Sequence, residues 1–134
     1  MRLKKEVAKL LARERVCRVA TAGKTGVPHV VPVCHVVSDG KIYFGSDGNA
    51  KKVEHVRANG HAAVTVDVYT EDWSSLKGIM VQGTATVIDD GPRFRKLRRL
   101  LYEKYPQYPE ESALDDGAVI IEIAPAHVFS WGLG

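Results

Sequence analysis

The stretch from Val27 to Lys52 constrains the fold of this chain more than any other. It reads VPHVVPVCHVVSDGKIYFGSDGNAKK, so a long valine-rich run and a second apolar run flank the Asp39-Gly40 pair. Asp-Gly between two strand-like runs is the preferred chemistry of a two-residue type I′ hairpin turn. The stretch therefore predicts two antiparallel strands, His29–Val37 and Lys41–Ser46, followed by a glycine-containing loop and a lysine pair. Extended backbone, a small loop and adjacent cations are together a possible cradle for a phosphate-bearing ligand.

Both faces of the first predicted strand are largely apolar. The two-residue period of a strand places His29, Val31, Val33, His35 and Val37 on one face and Val30, Pro32, Cys34 and Val36 on the other. A strand that is apolar on both faces is predicted to be covered on both sides. Pro32 donates no ladder hydrogen bond, so it indicates a bulge or an edge that faces a ligand or a partner.

The remaining sequence alternates short helices with strands. Helical spacing of Leu3, Val7, Leu10 and Leu11 predicts an amphipathic helix within residues 1–14. Two more helices are predicted at 50–58 and 92–105, and further strands at 16–22, 61–69, 77–89, 118–124 and 126–131. About six strands joined mostly by hairpin-length turns favour one domain, 1–134, built as a small antiparallel barrel with flanking helices.

Composition restricts the functional classes. The chain has 134 residues and a net charge of +3, which by itself is too small to indicate a nucleic-acid-binding protein. The basic helix from Arg93 to Arg99 lacks interleaved aromatic residues and any binding motif, so a solvated helix face is favoured over a nucleic-acid interface. The sequence has neither the roughly 20-residue apolar run of a membrane span nor the apolar core of a signal peptide.

The two cysteines indicate a reducing compartment, and a cytoplasmic location is expected. Cys17 and Cys34 form neither a CxxC unit nor a framework of paired cysteines. Cys34 has no evident activating base in the sequence, so it is predicted to be a buried thiol.

Taken in order along the chain, several short motifs resemble the flavin-binding split-barrel family related to pyridoxamine 5′-phosphate oxidase. The resemblance covers most of the chain, from about Val16 to the end, and depends on the order and spacing of the motifs. These motifs are Gly26-Val-Pro28-His29, Asp39-Gly40-Lys-Ile-Tyr-Phe44, Ser46, Lys51-Lys52, His55-Val-Arg-Ala-Asn59, Lys77-Gly78, Val81-Gln-Gly-Thr-Ala85 and Val128-Phe-Ser-Trp131.

The resemblance implies a six-stranded antiparallel split β-barrel that forms a homodimer, with two FMN sites at the subunit interface. The strand from His29 to Cys34 would run beside the flavin ring and the ribityl chain, while Ser46, Lys51 and Lys52 would hold the phosphate. Trp73 would pack beside the flavin of the partner subunit, and Gln82 would bond a flavin carbonyl or satisfy neighbouring backbone. The implied cofactor contacts are His29, Val30, Val31, Pro32, Val33, Ser46, Lys51, Lys52, Trp73 and Gln82.

Departures from the family pattern narrow the expected activity. His29 stands where the oxidase has an arginine, and the substrate-binding basic residues of the oxidase find no match in Ser130-Trp-Gly-Leu-Gly134. Oxidation of pyridoxamine phosphate is therefore disfavoured, and the expected function is an FMN-dependent oxidoreductase that acts on a small-molecule substrate. No side chain is identified as a catalytic acid or base.

Three alternatives stay open at this point. A deazaflavin coenzyme could replace FMN, because its longer anionic tail would also use the lysine pair. A non-catalytic flavin or haem carrier is a second alternative, with His29, His35 and His127 as the candidate haem ligands. A basic nucleic-acid-binding module is the third.

Overall fold

Seven antiparallel strands and four helices make up the computed structural model, which describes residues 2–133. The strands are β1 (Cys17–Ala22), β2 (Pro28–Val33), β3 (His35–Ser38), β4 (Lys41–Asp47), β5 (His61–Val68), β6 (Lys77–Ile88) and β7 (Ala118–Trp131). The helices are α1 (Lys5–Arg13), α2 (Lys51–Asn59), α3 (Gly91–Lys104) and α4 (Tyr108–Glu111). No helix among these residues is long and apolar enough to cross a membrane.

The order of the strands shows that the sheet curls back on itself. The strands lie in the order β2-β1-β5-β6-β7-β4-β3, so β2 and β3 occupy the two opposite edges. Only Cys34 separates β2 from β3 along the chain. Because one residue spans only a few ångströms, the two edges must lie close together, which gives the split-barrel architecture implied by the resemblance.

The structure has seven strands, against the expected count of about six, and two of the predicted boundaries differ. The predicted strand His29–Val37 is two strands. Its first part pairs with β1, through contacts such as Val31 with Val19, and its second part pairs with β4. Conversely, the two C-terminal strands predicted around Pro125 form one strand, β7. A bulge accommodates the kink: Gln82 faces His127 and Gly83 faces Pro125, so Ala126 is the extra residue.

Local sequence chemistry explains two sharp features of the fold. Asp39 and Gly40 both have positive φ, 51° and 74°, as a type I′ turn requires, and this confirms the hairpin prediction. Gly60 ends α2 with a left-handed φ of 72°, and its N–H donates to the carbonyl of Val56.

Two clusters of buried side chains hold the elements together. The larger fills the barrel interior and includes Leu11 of α1 and Val53 of α2. The smaller lies outside the barrel, where α3 buries Phe94, Leu97 and Leu101 against Tyr43 and Ile120. These helices carry the apolar stripes that the sequence predicted, although Leu3 and Leu100 are only half-buried.

One face of the sheet is left uncovered within the chain. Cross-strand pairing places two rows of side chains on it: Val30, Ala20, Ala63, Gln82 and His127 in one row, and Pro32, Arg18, Thr65, Met80 and Phe129 in the next. We call these ten residues the outer face. Val30 is 65% exposed and Phe129 is 62% exposed. The prediction that both faces of the valine strand are covered is thus wrong within a single chain.

Candidate functional site

A cavity of about 560 Å³ opens near the break between β2 and β3. Its walls come from Arg15 and Val16 before β1, from Pro32–Cys34, from Gly45–Asp47 at the end of β4, and from Lys52 of α2. The remaining wall consists of side chains between residues 105 and 112, at the end of α3 and in α4. We call this the split cavity. It brings four of the implied cofactor contacts together: Pro32, Val33, Ser46 and Lys52.

Lys52 is the cation of the predicted lysine pair that lines the split cavity. It is half-buried and forms no ion pair among the described residues 2–133. Burial lowers the pKa of Lys52, and the negative charge of Asp47 opposes this shift. A half-buried ammonium group without an ion-pair partner is a natural site for an anion.

Lys51 occupies a different position from Lys52. Its Nζ lies 3.6 Å from a carboxylate oxygen of Glu54, and its side chain is 58% exposed. The sequence contains a signal that distinguishes the two lysines. Lys52 lies four residues before the buried Val56, so both share one face of α2, whereas Lys51 does not.

The end of β4 forms a closely packed wall of the split cavity. Ser46 is buried, and its hydroxyl donates to the carbonyl of Asp47 at 2.9 Å. A Cβ on Gly45 would lie 2.5 Å from a methyl carbon of Leu114 and 2.9 Å from the hydroxyl of Tyr108. Glycine is therefore required at this position if the segment around Leu114 is to pack against β4.

The side chains of His29 and Val31 face the barrel interior. The rings of His29 and His55 meet edge to face, with their centroids 5.8 Å apart, and Nδ1 of His29 is buried without a hydrogen-bond partner. His55 is itself held by Thr21, whose hydroxyl lies 3.0 Å from its Nδ1. Val30 points the opposite way, onto the outer face. The structure thus brings only part of the predicted strand into the split cavity.

Gln82 and Trp73 lie apart from the split cavity in a single chain. Gln82 lines a second cavity of about 550 Å³ on the outer face, together with Pro28, Ala63 and His127. Trp73 is 81% exposed in the connection between β5 and β6. Asp72 orders this connection, because its carboxylate accepts hydrogen bonds from Ser74 and Ser75.

Among the residues of the split cavity that sequence reasoning missed are Arg15, Tyr105 and Tyr108. Arg15 precedes β1, far in sequence from Lys52, so no local spacing connects them. Burial raises the pKa of Tyr105 and raises the pKa of Tyr108 to about 12, so both hydroxyls stay protonated near neutral pH. The repeated Tyr-Pro pair at 105–106 and 108–109 was the available signal for this wall.

The prediction that Cys34 is buried was wrong. Cys34 is exposed and lines the split cavity, while Cys17 is fully buried. The reason is the break in the strand, because Cys34 lies between β2 and β3 and has no neighbouring strand to cover it. Burial raises the pKa of the Cys17 thiol to about 12.

Comparison with known proteins identifies the family. Residues 3–132 match the family model described as pyridoxamine 5′-phosphate oxidase. The chain belongs to this family. The chain is similar in sequence to the 5a,11a-dehydrotetracycline/5a,11a-dehydrooxytetracycline reductase of Streptomyces rimosus. The two are 30% identical over 121 residues, which are 87% of this chain and 73% of the reductase.

Similar solved structures confirm the fold. A FAD-binding protein of Mesorhizobium loti is 31% identical, with a TM-score of 0.75 over 96% of this chain and 94% of that protein. The haem storage protein HutZ of Vibrio cholerae has a TM-score of 0.80 over 96% of this chain and 94% of its own. At 13% identity, HutZ shows a common fold alone.

Proposed function

We propose that this protein is a flavin-dependent oxidoreductase that binds FMN between two subunits and acts on a small-molecule substrate. The observation that carries the proposal is the split cavity, which gathers Pro32, Val33, Ser46 and Lys52 although they are separated along the chain. Membership of the pyridoxamine 5′-phosphate oxidase family, the reductase relative and the FAD-binding relative support the same chemistry.

The residues of the split cavity fit a flavin phosphate. Lys52 would supply the positive charge, and burial of its ammonium group without an ion-pair partner gives a bound phosphate a favourable partner. The hydroxyl of Ser46 lies at the same wall and would rotate from the carbonyl of Asp47 to donate to the phosphate. Lys51, held by Glu54, would contribute only long-range attraction.

The open edge of β2 suits the ring and ribityl chain of the cofactor. This strand pairs only with β1, so one row of its backbone groups is free. Because proline donates no ladder bond, Pro28 and Pro32 suit the positions that face the open edge. Val30 lies two residues from each proline, so its backbone N–H and C=O would point to the same open edge and face the flavin ring. The side chains of His29, Val31 and Val33 point into the barrel and would hold the strand in place.

The outer face would form the homodimer interface. Exposed apolar residues such as Val30 on β2 and Phe129 on β7 are typical of a surface that a second subunit covers. A second copy on this face would bring Gln82 and Trp73 of one subunit towards the flavin of the other. The two subunits would also exclude water from the flavin ring.

When bound, the flavin supplies the hydride-transfer chemistry, while the protein supplies binding, orientation and the exclusion of solvent. We assign no side chain as an acid or base. The two free cysteines support a cytoplasmic location. The two neighbouring buried clusters, which both include residues of β4 and β7, support a single domain over residues 1–134.

The test combines an absorbance spectrum of the freshly purified protein with titration by FMN. We expect flavin bands or tight FMN binding, and a Lys52→Ala variant that binds FMN about 10- to 100-fold more weakly. Lys51→Ala is the matched control and should bind almost normally, because Lys51 is exposed and paired with Glu54.

Two results would contradict the proposal. One is an FMN dissociation constant above about 1 mM, because such a value corresponds to less than about 4 kcal/mol of binding free energy. The other is equal loss in Lys51→Ala and Lys52→Ala. If the protein binds a deazaflavin coenzyme but not FMN, the deazaflavin is the cofactor. The reduced deazaflavin would be recognised by its slow reaction with oxygen.

A further inference from the structure

We propose that Arg15 is a second phosphate-binding cation of the split cavity and that it acts together with Lys52. The inference rests on the proposed function, because the phosphate in question is that of the bound flavin. Arg15 lies in the short connection between α1 and β1, and its side chain lines the same cavity as Ser46 and Lys52. Nothing in the family resemblance assigned a role to this residue.

Arg15 is available to an anion. Arg13, Arg18, Arg57 and Arg93 each form an ion pair with a carboxylate. Arg15 forms none among the described residues, although the carboxylates of Asp47 and Glu111 line the same cavity. Its guanidinium therefore keeps its N–H donors free for a ligand.

The aromatic ring of Tyr105 holds the guanidinium in place. The central carbon of the guanidinium lies 4.9 Å from the centroid of this ring. Stacking on an aromatic face leaves the edge N–H groups of an arginine free to donate to an anion. Tyr105 is itself only 5% exposed, so it forms a rigid support.

Backbone contacts fix the same segment. The hydroxyl of Tyr105 shares its proton between the carbonyls of Arg15, at 2.8 Å, and His35, at 2.5 Å. Nζ of Lys104 donates to the carbonyl of Glu14 at 2.9 Å. Both ends of the arginine, its backbone and its guanidinium, are thus positioned by the end of α3. A side chain that is ordered before binding loses less conformational entropy when the anion arrives.

The charges of the cavity explain why one lysine is not sufficient. Asp47 and Glu111 contribute two negative charges to the lining, so with Lys52 alone the lining would be net negative. Arg15 restores the balance. Its guanidinium also presents N–H donors in a rigid planar fork that matches two phosphate oxygens, whereas the lysine ammonium is a rotatable point charge.

The experiment compares FMN with riboflavin, which has the same ring and ribityl chain but no phosphate. Affinities are measured by flavin fluorescence for the wild type, Arg15→Ala and Arg15→Lys, with Arg13→Ala as the matched control. We expect Arg15→Ala to weaken FMN binding about 10- to 100-fold and to leave riboflavin binding unchanged. Arg15→Lys should recover only part of the FMN affinity, and Arg13→Ala should bind FMN like the wild type.

The outcomes separate this inference from the proposed function. If the wild type binds no FMN, the proposed function fails. If the wild type binds FMN and Arg15→Ala binds it equally well, only the role of Arg15 is overturned. Equal loss of FMN and riboflavin would also overturn it, because it would show a role in folding or in ring binding. Arg15→Lys keeps the charge and gives the same FMN-to-riboflavin comparison if Arg15→Ala does not fold.

Discussion

Nε2 of His35 lies 2.7 Å from the carbonyl oxygen of Leu11, which ties β3 to the end of α1. The imidazole is fully buried, and its Nδ1 has no hydrogen-bond partner. Nε2 must therefore carry the proton that it donates to Leu11. Burial, with a further contribution from the positive charge of Lys104, lowers the pKa of His35 to about 4.

This low pKa predicts a loss of stability in mild acid. In the unfolded chain, the pKa of His35 returns to about 6.5, so between about pH 6.5 and 4 the unfolded state binds a proton that the folded state does not. The free energy of unfolding should therefore fall as the pH drops through this window, by roughly 3 kcal/mol in total. Urea denaturation across the window measures this. A His35→Gln variant, which can still donate to Leu11, should lose the contribution, and an unchanged pH dependence in that variant would refute the assignment.

The two cysteines should react very differently in the folded protein. Cys17 is buried and its pKa is raised to about 12, whereas Cys34 is exposed in the split cavity. A thiol reagent should modify one cysteine per chain in native conditions and both in denaturant. A Cys34→Ser variant should show no fast reaction. FMN should slow the reaction of Cys34, and labelling that is indifferent to saturating FMN would argue against a flavin in this cavity.

Gly83 should tolerate alanine far less well than Gly26. A Cβ on Gly83 would lie 2.1 Å from the carbonyl oxygen of Ala124, in the bulge where β6 meets β7. The backbone there cannot move without breaking the ladder, so we expect a loss of more than about 3 kcal/mol. Gly26 has a φ of +77° and nothing within 4 Å of its added Cβ, so strain alone should cost about 1 kcal/mol. Thermal unfolding of the two variants gives the comparison, and equal destabilisation would be the contrary result.

Burial, more than short distance, should decide the strength of the ion pairs. Glu122 is 7% exposed and accepts a hydrogen bond from the hydroxyl of Tyr43 at 2.9 Å, beside Arg93. Glu122→Gln should cost about 1–3 kcal/mol, because it weakens hydrogen bonds to a buried carboxylate. The pair Arg57–Asp89 is short, at 2.8 Å, but both side chains are more than half exposed. Asp89→Asn should therefore cost less than about 0.5 kcal/mol in the same denaturation assay. A larger loss in Asp89→Asn than in Glu122→Gln would reverse this ranking.

A charge in the outer face should weaken the proposed dimer. Phe129 is 62% exposed and lies beside its cross-strand neighbour Met80 on the outer face. Phe129→Glu would bury a carboxylate in an apolar interface, at a cost of several kcal/mol. Size-exclusion chromatography should show a shift from dimer to monomer. Lys96→Glu, on the exposed side of α3, is the control and should elute like the wild type. A wild-type monomer would contradict the dimer itself.

Local chemistry made much of the fold predictable. The Asp39-Gly40 turn and the stop of α2 at Gly60 depend on positive φ angles that these residues adopt more readily than others. The stripe of Phe94, Leu97 and Leu101 follows from the helical period alone.

The interruption of the valine strand at Cys34 depends on tertiary pairing. Seen locally, residues 29–37 are mostly β-forming, and Pro32, although it indicates a bulge or an edge, does not mark Cys34 as the position where the pairing changes. That position is decided by which strands close the barrel, since β1 takes one part and β4 takes the other. The exposure of Cys34 follows from the same closure.

The sequence by itself determined the turns, the helical stripes, the run of β-forming residues and the family to which they belong. The turns, stripes and β-forming run follow from residue type and spacing within a few positions, whereas the family resemblance depends on the order of motifs along most of the chain. The tertiary structure alone decided that Arg15, Lys52 and Tyr105 line one cavity, because the loop before β1, the helix α2 and the end of α3 meet only when the sheet curls. It also left Val30 exposed on the outer face. The physical reason is that a cavity is formed by residues distant in sequence, whose proximity no local pattern encodes.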